Sequence, residues 1–114
     1  MDENDSGNVY IDIDDALKRV GGNMGLYKKL LGRYVDGNYM EAIEGALLSG
    51  DMEESARQAH TLKGVSANLS LVKVRALCIS LEEKIHAGQD YSDCLTELKQ
   101  AHSETLNKIA ELAN

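Results

Sequence analysis

The sequence contains no proline, phenylalanine or tryptophan, and only two cysteines among its 114 residues. Leucine, alanine, lysine and glutamate are abundant instead, a composition that favours helices and disfavours a strand-rich sandwich. We therefore predict an all-α fold. The cysteines, Cys78 and Cys94, have neither a CxxC spacing nor the spacing of metal ligands. We interpret them as a small buried apolar side chain and a free thiol in a reducing compartment, and we predict no metal site.

The chain is also poor in positive charge, with 12 basic against 19 acidic residues and a net charge of -7. Such a field repels phosphate backbones and anionic lipids, so we expect neither nucleic acid nor a membrane as a partner. No secretion signal or 18-residue apolar run is visible, and we predict a cytoplasmic protein. With 43% apolar residues, positions 1–114 can form one domain with a real core, and we expect the polar residues 1–8 to be flexible.

Hydrophobic periodicity and end signals predict five helical segments. They cover about residues 13–20, 23–49, 51–70, 71–87 and 90 onward. Asp12 or Asp14 would cap the first, and the sequence DGN at 36–38 is where the second would bend or break. Asp51, with Glu54 three positions later, has the capping-box pattern that starts the third. Because short connections place neighbouring helices antiparallel, we predict an up-down antiparallel four-helix bundle with a short extra N-terminal helix.

The third predicted helix presents one unusual face. At about 100° per residue, a single stripe, called here the His60 stripe, contains Ala56, His60, Lys63, Gly64 and Ala67. The opposite, core-facing stripe contains Ala59, Leu62, Ser66 and Leu69. Glycine inside a helix costs about 1 kcal/mol relative to alanine, so a reason other than stability is needed for Gly64. We interpret Gly64 as giving a partner protein access to His60, with Ala56 and Ala67 extending the same flat docking surface.

His60 is predicted to be exposed, and a neutral imidazole offers a lone pair as a nucleophile at physiological pH. Lys63, one turn further along the same face, would place an ammonium beside an anion attached to His60, such as a phosphoryl group. The plainer alternative is an ordinary solvated histidine. Of the other two histidines, we predict that His102 is packed in a structural role. We predict that His86 is exposed near the C-terminus of its helix, where it stabilises the negative end of the helix dipole.

These residues resemble a known family. The segment "AHTLKGVSANL" closely resembles the signature of histidine-containing phosphotransfer (HPt) domains, and "LCISLEEKI" resembles the companion helix. Three earlier segments, "YIDIDDALKRVGGN", "LLGRYVD" and "LLSGDMEESARQA", are similar to the family's preceding parts. The resemblance implies that His60 accepts a phosphoryl group from the aspartyl phosphate of a receiver domain, or from a kinase, and passes it to another aspartate.

The resemblance also suggests a supporting role for Glu82, because family members often place a glutamate or glutamine there to contact the histidine. A carboxylate that accepts the Nδ1 proton would leave Nε2 as the nucleophile. The alternative is a solvated glutamate. Two positions depart from the family pattern: Ser70, where many members carry glycine, and Tyr34, where phenylalanine is common. We interpret Ser70 as the N-cap of the next helix.

The sequence contains no nucleotide-binding loop of the GxxxxGK type, so the resemblance indicates a phosphocarrier rather than an enzyme. We expect no cofactor on this chain, with Mg²⁺ held by the partner receiver domain. The expected partners are response-regulator receiver domains, a hybrid sensor histidine kinase, or both, and the chain is expected to act as a monomer. Two alternatives stay open: the phosphorylatable domain of a chemotaxis-type histidine kinase, and a helical interaction module that is not phosphorylated.

Overall fold

The computed structural model describes residues 10–113, so the expected flexibility of residues 1–8 lies outside the described residues. Over residues 10–113 the chain is all-α and has no strand, as the composition predicts. Residues 10–113 form six helices: α1 (Ile13–Arg19), α2 (Met24–Asp36), α3 (Tyr39–Ser49), α4 (Met52–Asn68), α5 (Val72–Ala87) and α6 (Ser92–Ala113).

The second predicted segment is two helices rather than one. The break lies at Gly37 and Asn38, where Asn38 adopts a left-handed backbone with φ of 54°. Gly37 ends α2 by donating its N–H to the carbonyl of Tyr34 at 3.1 Å. A Cβ at Gly37 would overlap the ring of Tyr39, so a larger residue there would require that ring to move. Of the bend and the break predicted at residues 36–38, the structure has the break.

Aspartate side chains cap the N-termini of α1 and α4. Asp12 caps α1, accepting a hydrogen bond from the N–H of Asp15 at 3.1 Å. Asp51 caps α4 in the same way, accepting from the N–H of Glu54 at 3.0 Å. The carboxylate of Glu54 contacts Arg57 and Gln58. The predicted N-cap is thus confirmed, while the carboxylate of Glu54 is engaged along the helix.

Ser70 is not the N-cap of α5, contrary to the sequence interpretation. The cap position is Leu71, and Ser70 lies one residue earlier with a left-handed φ of 57°. That backbone orientation sends its hydroxyl to α1, where it donates to Oδ2 of Asp15 at 2.7 Å. The carbonyl of Ser70 accepts from the N–H of Asp12 at 3.0 Å. The turn between α4 and α5 therefore holds the start of α1.

Helices that are neighbours in the chain make most of the contacts between helices, and α2 also contacts α6. The most extensive contact is between α4 and α5, while α3 packs on α4 and α6 packs on α5. The core-facing stripe of α4 is buried as predicted, since Ala59, Leu62, Ser66 and Leu69 are each at most 5% exposed. Among the helices of residues 10–113, none combines the length and the apolar character that crossing a bilayer requires.

Candidate functional site

His60 lies near the middle of α4, on the face opposite the core. Its side chain is 66% exposed. The position follows from local sequence, because Asp51 sets the start of α4 and the buried residues Ala59 and Leu62 set the rotation of the helix. The imidazole is consequently held on a rigid element and is open to a partner from outside.

Glu82 of α5 joins two side chains of α4. Its Oε2 lies 3.1 Å from Nδ1 of His60, and its Oε1 accepts a hydrogen bond from Nζ of Lys63 at 2.9 Å. The Glu82 side chain is 17% exposed, so these contacts are partly shielded from water. The structure thus brings together three residues that the sequence singled out separately.

The charge state of Glu82 determines the tautomer of His60. Burial raises the pKa of Glu82, but the hydrogen bonds from Lys63 and His60 outweigh that effect, so the pKa lies below its ordinary value of 4.5. An ionised carboxylate can only accept hydrogen bonds. Nδ1 of His60 therefore carries the ring proton and donates a hydrogen bond to Glu82, and in the neutral ring Nε2 keeps its lone pair.

Lys63 has a partner within the chain. Its ammonium is 30% exposed and is directed to Glu82 by the 2.9 Å contact. The sequence predicted that this ammonium would stand beside an anion on His60, and that role stays a prediction. Because Lys63 already contacts Glu82, an anion on His60 would interact with the same ammonium as Glu82 does.

The small residues of the His60 stripe are not equally accessible. Gly64 is exposed, and apart from the adjacent residues and the local helix backbone, a Cβ there would meet no described atom within 4 Å. Ala67 is half-buried. Ala56 is 5% exposed, which corrects its assignment to an open docking surface. The reason is tertiary: Ala56 lies on the side of α4 that faces α5, where it lines a cavity with Glu82.

That cavity has a volume of about 260 Å³ and lies beside His60, between α4 and α5. It is lined by Glu53, Ala56, Arg57, His60, Glu82 and His86. Nε2 of His86 lies 3.7 Å from Oε2 of Glu82. Sequence reasoning placed His86 at an exposed helix end, and its side chain is indeed 65% exposed, but its proximity to His60 was missed. The four-residue spacing between Glu82 and His86 indicates that the two side chains are neighbours on one helix face.

A larger cavity of about 560 Å³ lies on the other flank of α4. Its lining includes Leu30 and Arg33 from α2 and Val65 and Asn68 from α4. His60 does not line it. No local pattern predicts this cavity, because it is formed where separate helices meet.

The third histidine, His102, and the two cysteines lie in packed surroundings. His102 is packed as predicted, with Nδ1 2.6 Å from the hydroxyl of Tyr34. Cys78 and Cys94 are free and buried, and burial raises the pKa of the Cys78 thiol to about 12. Within residues 10–113 no group of three or more histidine, cysteine, aspartate or glutamate side chains is arranged to hold a metal ion.

Comparison with protein families gives one match: the model described as "Hpt domain" matches residues 37–112. This range is about two thirds of the chain and contains α3, α4 and α5, with His60, Lys63 and Glu82. Comparisons with curated proteins and with solved structures returned no match.

Proposed function

Because the chain belongs to the Hpt domain family, whose members are phosphocarrier modules of two-component signalling, we propose that it relays a phosphoryl group between receiver-domain aspartates through His60. The observation that carries the proposal is the contact between Nδ1 of His60 and Oε2 of Glu82 at 3.1 Å. It orients the exposed ring with Nε2 as the free nucleophile.

The transfer step uses few groups of this chain. The Nε2 lone pair of His60 forms a bond to phosphorus, the bond from phosphorus to the aspartate oxygen breaks, and the electron pair returns to that carboxylate. The Nδ1 proton stays on the ring, so the positive charge that develops on the imidazole lies beside Glu82. Attack by a second aspartate reverses the step. Mg²⁺ belongs to the receiver domain in this proposal, and the chain itself needs no nucleotide site or cofactor.

The supporting roles follow from the same geometry. Lys63 would contact the phosphoryl group while remaining close to Glu82, which it contacts at 2.9 Å. Gly64 and Ala67 would form the low surface on which a receiver domain docks, because Gly64 leaves open space one turn after His60. Ala56 is excluded from that surface by its burial.

The proposal also specifies the architecture and the setting. The segment formed by α2 and α3 is joined to α4, α5 and α6 by short connections, and α2 contacts α6. These contacts support an antiparallel up-down four-helix bundle with α1 as the short extra helix. We take the chain to act as a monomer in the cytoplasm, where receiver domains or a hybrid sensor kinase would exchange phosphoryl groups with it.

A transfer assay tests the proposal. The protein is mixed with a panel of receiver domains that carry radiolabelled aspartyl phosphate, and the label is followed onto the chain. Wild type should acquire an acid-labile, base-stable label, and His60→Gln should acquire none. The matched controls His86→Gln and His102→Gln, which remove the other two histidines, should keep the label. Label on the folded His60→Gln protein would reject the assignment, and an unlabelled wild type with every receiver would reject the relay.

A further inference from the structure

One carboxylate oxygen at the site faces two imidazoles. Oε2 of Glu82 lies 3.1 Å from Nδ1 of His60 and 3.7 Å from Nε2 of His86. The other oxygen, Oε1, is occupied by Lys63 at 2.9 Å. His86 is four residues after Glu82 on α5 and lines the same cavity as His60. Any change in the charge of His86 is therefore felt at the oxygen that orients His60.

We infer that His86 is a positioning residue for phosphoryl transfer at His60, acting through Oε2 of Glu82. The inference rests on the proposed function, since it concerns the same transfer step. When His86 is neutral, Oε2 is available to the Nδ1 proton of His60. When His86 is protonated, the second cation competes for the same oxygen, and Glu82 stabilises the positive charge of the reacting His60 ring less well.

Other charged side chains line this cavity or contact Glu82. Arg57 of α4 lies between two glutamates, 3.8 Å from Glu53 and in contact with Glu54. Lys63 contacts Oε1 and not Oε2. Arginine and lysine stay protonated across the range in which imidazoles titrate, and the glutamates stay ionised. Imidazole is the side chain whose charge ordinarily changes near neutral pH, and two imidazoles, those of His60 and His86, line this cavity.

This arrangement predicts that His60 accepts a phosphoryl group more slowly at pH 6 than at pH 8. Protonation of His60 itself also slows the reaction, but that effect is common to wild type and to variants at position 86. The rate of wild type divided by the rate of His86→Gln therefore isolates the contribution of His86. Because both imidazoles are largely exposed, the ratio should fall by about two- to five-fold between pH 8 and pH 6.

Two substitutions at one position test the inference. Compared with wild type at the same pH, His86→Gln should be equal at pH 8 and faster at pH 6. His86→Lys, with a permanent charge, should be slower than wild type at pH 8 and equal to it at pH 6. Glu83→Gln is the matched control: it changes the net charge on the same helix at an exposed neighbour outside the cavity, and it should follow wild type. Equal pH profiles for wild type, His86→Gln and His86→Lys would overturn the inference. So would a wild type that is faster than His86→Gln at pH 6.

A second measurement needs no phosphoryl transfer. The ring nitrogen signals of His60 are followed by NMR against pH in wild type and in His86→Gln. Wild type should show two coupled steps, because protonation of His86 reaches His60 through Glu82, and His86→Gln should show one. Identical curves would overturn the inference even when wild type accepts label. A wild type that shows coupling but accepts no label would instead reject the proposed function.

Discussion

The hydroxyl of Tyr34 lies 2.6 Å from Nδ1 of His102, a hydrogen bond that joins α2 to α6 across 68 positions of the sequence. The two rings meet edge to face with centroids 5.5 Å apart. Burial raises the pKa of Tyr34 and lowers that of His102, so both groups are neutral at pH 7. The contact gives the tyrosine hydroxyl a partner where the family commonly has phenylalanine.

Tyr34→Phe should lower the free energy of unfolding by about 1 kcal/mol, because it removes the hydroxyl and leaves Nδ1 of His102 without its partner. Unfolding in urea, followed by circular dichroism, measures the change. Tyr39→Phe is the matched control, since it keeps the ring that stacks on Tyr34 at 5.7 Å. The control should change stability by less than about 0.5 kcal/mol. Equal effects of the two substitutions would show that the hydrogen bond contributes nothing specific.

Stability should depend on pH through His102. Its pKa is lowered by burial from the ordinary value of 6.5, so the unfolded chain binds a proton more readily than the folded chain. The contribution of neutral His102 is therefore present above pH 6.5 and is lost as pH falls below that value. Urea unfolding from pH 8 to pH 5 should show this fall, and His102→Gln should flatten it. If the free energy of unfolding of His102→Gln changed with pH as it does in wild type, the pH dependence would come from other groups.

Substitution of Gly64 should separate stability from transfer. A Cβ at Gly64 would meet open space beyond the adjacent residues and the local helix backbone. Gly64→Ala should therefore stabilise the fold by about 1 kcal/mol through helix propensity. Gly64→Leu should remain folded but slow phosphoryl transfer from a receiver, because the longer side chain occupies the docking surface. Gly45 of α3, also exposed and open, gives the matched control: Gly45→Ala should stabilise similarly and leave transfer unchanged. Wild-type transfer by Gly64→Leu would remove the steric explanation.

Lys63→Ala should shorten the lifetime of phosphorylated His60 or slow its transfer without removing the label. The ammonium is partly exposed, so its interaction with the phosphoryl group should be about 0.5 to 1 kcal/mol, which is a few-fold in rate or lifetime. High salt should narrow the difference from wild type, because screening weakens such pairs. Lys73→Ala, which removes an exposed charge outside the His60 cavity, is the control. Equal lifetimes at low salt would leave Lys63 with no role beyond its pairing with Glu82.

Substitutions of Ser70 should separate its backbone from its hydroxyl. Both Ser70→Ala and Ser70→Gly remove the hydrogen bond to Asp15, but only glycine adopts a φ of 57° without strain. Ser70→Gly should therefore be about 0.5 to 1 kcal/mol more stable than Ser70→Ala. The hydrogen bond from Ser70, and then that from Arg19, hold the pKa of Asp15 below 3.8, and carboxyl NMR should show that pKa rising in both variants. An unchanged Asp15 signal would mean that the hydroxyl does not contribute in solution.

Local sequence determined which parts of this protein are helical and which face of α4 is buried. Asp51 caps that helix, and the spacing of Ala59, Leu62 and Ser66 places them in the core, because side chains three and four positions apart share a helix face. The same periodicity placed His60 on the exposed face. These features depend on interactions within a few residues and can be recognised without knowledge of the fold.

The packing of α4 against α5 decided the rest of the site. Glu82 reaches His60 and Lys63 from 22 and 19 positions away, and His86 approaches the same oxygen, because the two helices meet at one rotation and separation. That packing also buries Ala56, which periodicity alone left on the exposed stripe. Helix periodicity gives the direction of a side chain relative to its own axis, whereas the distance between two helices is set by how their side chains interlock. The family resemblance suggested a partner at Glu82, but only the tertiary structure places the second imidazole beside it.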